Sequence, residues 1–135
     1  MILEPRDKRD LSDVRMEKAL GFLEDARANL KEGRYSTAIN RSYYAALSAV
    51  RSILILEGAN PETHEGALTL LSLRLIKPGL LPSDVVKDFK LLLSRRTDAD
   101  YGDFDTVEKA DADEAVRIAE RMIGTIEKAR TTLLS

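Results

Sequence analysis

Arg41, Tyr44, Ser48 and Arg51 stand at i, i+3, i+7 and i+10, a spacing that puts all four side chains on one stripe of an α-helix. Two planar guanidiniums with a phenol and a hydroxyl between them form a donor set suited to an anion such as phosphate. The architectural alternative is that Arg41 and Arg51 pair with carboxylates of the first or last helix and hold neighbouring helices in register. A second constellation runs from Arg95 to Asp103 as Arg-Arg-Thr-Asp-Ala-Asp-Tyr-Gly-Asp. It reads as two cations at a helix end followed by a carboxylate-rich turn. There Arg95 and Arg96 would contact phosphates while Asp100 or Tyr101 orients a sugar hydroxyl; alternatively, the arginines cap carbonyls and pair with the surrounding acids. A calcium loop fails on register, because counting from Asp98 puts Asp103 where the loop needs Gly and Lys109 where it needs Glu. His64 follows Thr63 at an expected helix start, where the dipole disfavours its protonated form. It reads first as a surface or packing residue and only second as a general base.

The rest of the composition removes whole classes of chemistry. With no Cys and one His in 135 residues, thiolate metal sites, cysteine nucleophiles, disulfides and multi-histidine centres are excluded. No Gly-rich phosphate loop, Gly-x-Ser-x-Gly elbow or Walker-type lysine is present. No metal and no cofactor is expected. No run approaches the ~18 apolar residues of a membrane span, and Met1 to Asp10 alternates charges instead of forming a signal core. A cytoplasmic protein without membrane association is the expectation. The formal net charge of −2 does not demand nucleic acid. Locally the balance is uneven: Arg74–Arg96 carries six bases against two acids, and Thr97–Glu120 carries nine acids against two bases.

Apolar periodicity predicts five helices that position these groups. The first is expected to open at Ser12 as N-cap and stop at Gly33. The second runs from about Tyr35 to Leu56 before Gly58, with two adjacent stripes, Ala38-Ser42-Ala45-Ala49-Ser52 and Ile39-Tyr43-Ala46-Val50-Ile53. Stripes that wide belong to a central helix, and their small residues allow close neighbours. The third is short, from Thr63 to about Leu75. The fourth begins after Ser83 and delivers Arg95 and Arg96 near its C-terminal end; the fifth starts near Asp111, with Glu114 completing a capping box. No segment alternates like a strand. The expected fold is all-α, an antiparallel up-and-down bundle of about five helices, four long and one short. It forms one domain over 1–135, with 1–10 a flexible N-terminal arm.

Three segments in order, Asn40-Arg41-Ser42-Tyr43-Tyr44-Ala45-Ala46, Thr63-His64-Glu65-Gly66 and Arg96-Thr97-Asp98-Ala99-Asp100-Tyr101, resemble the HEPN domain family (higher eukaryotes and prokaryotes nucleotide-binding). The likeness covers about Leu11 to Leu133 and is strongest to the small stand-alone prokaryotic branch. It implies a helical bundle, usually homodimeric, often encoded beside a small nucleotidyltransferase in systems of toxin–antitoxin type. Many members are metal-independent ribonucleases with an Arg-x-x-x-x-His motif. In this chain Arg95 falls on the Arg and Asp100 on the His, and Ser48 stands where many relatives carry another His. Asp, ordinarily titrating near ~3.9, is a poorer proton shuttle at neutral pH than His near ~6.5.

The resulting expectation is a module that binds nucleotide, RNA or a partner nucleotidyltransferase through Arg41, Tyr44, Arg95, Arg96, Asp100 and Tyr101. One alternative is a structural dimeric module in which the same residues form internal ion pairs. The other is a ribonuclease in which Arg95 acts with Asp100 or His64.

Overall fold

The computed structural model describes residues 3–102 and 106–135. Among them 82% of the chain is helical and there are no strands. The helices are α1 (Pro5–Lys31), α2 (Tyr35–Leu54), α3 (His64–Leu71), α4 (Asp84–Tyr101) and α5 (Lys109–Leu134). A 3-10 turn, Ile55–Glu57, extends α2, and a π-helical turn, Ser72–Ile76, extends α3. The bundle is the antiparallel all-α arrangement that the periodicity predicts.

α2 is the axis. It packs against α1, α5, α4 and α3, so it must be apolar nearly all round. Ala38, Ala45, Ala46, Ala49, Val50, Ile53 and Leu54 have no exposed surface. Its buried hydroxyls return to the helix itself: Ser42 Oγ donates to the Ala38 carbonyl at 2.8 Å and Ser52 Oγ to that of Ala49 at 2.6 Å. Those bonds satisfy polar groups that would otherwise cost free energy in the core. Gly33 and Gly58, at φ +79° and +76°, take the left-handed conformation that ends α1 and the α2 extension.

Boundaries differ from the sequence expectation in three instructive places. α1 begins at Pro5, so residues 5–10, assigned to an arm, are helical. Pro at the first position needs no N–H partner and has φ already set for a helix. Ser12 is consequently no cap. It is buried mid-helix, where its Oγ donates to the Ser52 carbonyl at 2.6 Å and accepts from Arg130 Nη1 at 3.0 Å, tying α1 to α2 and α5. α4 continues past Arg96 to Tyr101, so the expected acidic turn is the last helical turn and a half. α5 begins two residues early, at Lys109, with a capping box of Glu108 and Asp111 instead of Asp111 and Glu114. Thr63 caps α3 as expected, its Oγ1 accepting from the Gly66 N–H at 2.9 Å. Asp103 lies outside the described residues.

The central position of α2 has a measurable consequence. Ile53→Ala, at a site with no exposure, should cost about 2–5 kcal/mol by urea denaturation. Val14→Ala on the outer face of α1, 58% exposed, should stay within about 0.5 kcal/mol.

Candidate functional site

Successive residues on a helix point about 100° apart, and the pairs Tyr43-Tyr44 and Arg95-Arg96 use that offset. Tyr43 turns into the core and Tyr44 to the flank facing α4. Arg95 turns to α5, where Nη2 meets Glu114 at 3.0 Å and Nη1 meets Asp111 at 3.4 Å. Arg96 turns to α2, where its Nη2 donates to the Tyr44 hydroxyl at 3.0 Å.

Arg96 is the centre of the site. Its Nε lies 2.9 Å from Asp100 Oδ2, one turn further along α4, out of line for a hydrogen bond but well placed as an ion pair. The same Asp100 oxygen accepts from Asn40 Nδ2 of α2 at 3.0 Å. The guanidinium carbon sits 5.8, 5.5 and 5.4 Å from the ring centroids of Tyr43, Tyr44 and Tyr101, within cation–π range of all three. Burial opposes the Arg96 charge, but Tyr44, Tyr101, Asp100 and Tyr43 together raise its pKa above the ordinary arginine value. Tyr101 completes the group from the outside, with 69% of its surface exposed.

Behind this cation the aromatic packing continues inward. Tyr43 stacks on Phe89 at 5.6 Å with the rings nearly parallel, and meets Tyr44 edge-on at 5.3 Å. Phe22 of α1 lies 6.1 Å from Tyr44, and Arg41 covers Phe22 at 5.8 Å. The Tyr43 hydroxyl is bonded to His64 Nδ1. Burial, with a smaller contribution from Tyr44, pushes the Tyr43 phenol up to about 12 despite Arg96 and Arg51. His64 is lowered, by burial first and then by Arg96 and Arg51. A neutral imidazole facing a protonated phenol assigns the roles: Tyr43 donates, Nδ1 accepts, and the imidazole proton sits on Nε2.

The residues singled out from sequence therefore separate into groups. Tyr44, Arg96, Asp100 and Tyr101 converge. Arg41 is linked to them through Phe22 and Tyr44, His64 through Tyr43, and Arg95 faces away. The ion pairs considered for Arg41 and Arg51 with acids of the first or last helix are not made among the described residues. Sequence reasoning missed Tyr43, which it placed in an apolar stripe, and Asn40, whose carboxylate partner is sixty residues away. For Tyr43 the signal was available: a phenol inside a central helix must find a polar partner.

Set beside known proteins, the HEPN domain family model matches residues 12–129. The chain belongs to the HEPN domain family. A relative named as a UPF0332 protein in Thermotoga maritima is 28% identical over 122 residues, covering 90% of this chain and 92% of that one. Another in Archaeoglobus fulgidus is 27% identical over 124 residues, covering 92% and 96%. The crystal structure of TT1696 from Thermus thermophilus superposes with a TM-score of 0.76 at 23% identity, over 87% of this chain and 97% of that one. That last likeness concerns the fold alone. Within this HEPN domain, no helix is long and apolar enough to cross a membrane among the described residues.

The lone histidine makes a pH test clean. Because folding lowers the His64 pKa, the unfolded chain binds the proton more readily. Stability should be complete above pH ~6.5 and fall as pH drops below it. Urea midpoints measured from pH 7.5 to 5.5 should decline for the native protein. His64→Gln should flatten that decline.

Proposed function

We propose that this HEPN domain binds the phosphate of a nucleotide or of RNA, with Arg96 as the contacting cation and Tyr101 as a stacking surface beside it. The observation that carries the reading is the exposed Tyr101 ring lying 5.4 Å from a guanidinium that Tyr43, Tyr44 and Asp100 hold from its other sides. A cation beside an open aromatic face offers charge to a phosphate and a platform to a base. Asp100, itself bonded to Asn40, keeps Arg96 in register, and either residue can exchange its internal bond for a ribose hydroxyl. Arg41, one aromatic step away, extends the positive surface. Arg95, tied to Asp111 and Glu114, serves the bundle.

The same reading includes a homodimer and a small nucleotidyltransferase as partner within a two-component system of toxin–antitoxin type. Leu73, Leu80 and Leu91 are exposed apolar side chains available to such a partner. A ribonuclease reading has less support, because Asp100 stands where the nuclease motif of the family has His, and His64 spends Nδ1 on Tyr43.

The test is binding of AMP and of a short single-stranded RNA at two salt concentrations. Arg96→Gln should weaken binding about tenfold or more and reduce the salt slope by about one for RNA. Arg95→Gln should change affinity by less than about threefold, the scale of a surface ion pair. Unchanged binding in Arg96→Gln contradicts the proposal. The same RNA should remain uncut in metal-free buffer, and sedimentation at tens of micromolar should show a dimer.

A further inference from the structure

Arg15, Arg41, Arg51, Arg95, Arg96 and Arg130 are the arginines partly withdrawn from solvent. Arg95, Arg96 and Arg130 each meet a carboxylate, and Arg41 covers Phe22. Arg15 and Arg51 do neither: among the described residues no carboxylate lies within ion-pairing distance of either guanidinium. Arg15, from α1, reaches across the end of α2. Its Nη1 donates to the Arg51 carbonyl at 3.4 Å and its Nη2 to Asn60 Oδ1 at 2.9 Å. Arg51 Nε, like those of Arg95, Arg96 and Arg130, is buried with no hydrogen-bond partner among the described residues, but of these four only Arg51 has no carboxylate within ion-pairing distance.

A purely architectural role covers half of this. Arg15 can cap the end of α2, which explains both of its bonds. It does not explain why Arg51, whose carbonyl Arg15 meets, keeps a buried Nε with neither a hydrogen-bond partner nor a counter-charge. Burial and then the Arg51 charge lower the Arg15 pKa, as expected of neighbouring cations that repel. Orphaned donors and unpaired charges are both costly in a folded protein, and one bound anion relieves both.

We propose that Arg15 and Arg51, with Asn60 beside them, form a second anion site that takes a phosphate group, free or carried on a nucleotide or RNA strand. Guanidinium forks match phosphate oxygens in a way that ammonium does not. Asn60, accepting from Arg15 through its carbonyl oxygen, keeps its amide NH2 as a further donor. The site draws on α1, the C-terminal end of α2 and the segment before α3, and stands independently of the Arg96 reading.

The experiment uses the whole chain, labelled with nitrogen-15, and follows the arginine Nε–H and asparagine side-chain signals by NMR. Sodium phosphate is titrated against chloride at matched ionic strength, followed by AMP, adenosine and a short single-stranded RNA. Phosphate-bearing probes, and not adenosine, should give saturable shifts at Arg15, Arg51 and Asn60. A response to inorganic phosphate equal to that for AMP identifies the free ion as sufficient, and a stronger response to AMP or RNA identifies a carried phosphate. Arg51→Gln and Arg15→Gln should each weaken the phosphate response about tenfold or more. The exposed Arg117→Gln should leave it unchanged. If Arg51→Gln unfolds, Arg15→Gln alone decides. The absence of saturable shifts at Arg15 and Arg51, or undiminished affinity in the folded glutamine variants, overturns the proposal.

Discussion

Arg96 is a full positive charge with only 14% of its side chain exposed, and the surroundings of that charge organise the α2–α4 seam. Desolvating a guanidinium is costly, so partners must approach from several directions at once. Asp100 supplies the opposite charge from the same helix, Tyr44 accepts a hydrogen bond from across the seam, and three tyrosine rings present their electron-rich faces. Cation–π contacts of about 0.5–2 kcal/mol each are individually modest. Together they fix where α4 sits along α2, and hence where Asn40 meets Asp100 and where the Tyr43 ring meets Phe89.

From that centre the polar interior becomes intelligible. Tyr43, fully buried, needs an acceptor for its hydroxyl, and His64 at the start of α3 supplies one. Burial, helped by the nearby cations, keeps that imidazole neutral, which is the form able to accept. The short α3 is thereby joined to the bundle by a specific hydrogen bond as well as by the burial of Ala67 and Leu71. Elsewhere in the bundle, Ser12 and Arg130 perform a comparable joining of α1, α2 and α5.

The architecture was largely legible in the chain because apolar periodicity is a local signal: α2 with its two stripes, the Thr63 cap and the glycine stops all stand where the pattern places them. Ser12 misled because Ser is favoured both as a helix cap and as a small buried hydroxyl, and only the neighbouring Ser52 carbonyl distinguishes the two. The stretch after Arg96 misled because Asp and Thr are weak helix formers, whereas the Arg96–Asp100 pair needs one helical turn between its members. Of the candidate site, Tyr44, Arg96, Asp100 and Tyr101 were visible by residue type. That Arg95 and Arg96 part company was not, since it depends on the acids α5 presents. The Arg15–Arg51 approach joins residues thirty-six positions apart and leaves no mark in the local pattern.

Arg96 and Tyr44 are energetically coupled across the α2–α4 seam. A double-mutant cycle measures this directly, with urea unfolding of the native protein, Arg96→Met, Tyr44→Phe and the double variant. A coupling of about 1 kcal/mol or more is predicted for a charge-assisted hydrogen bond reinforced by the ring. Additivity of the two substitutions to within about 0.3 kcal/mol would contradict it.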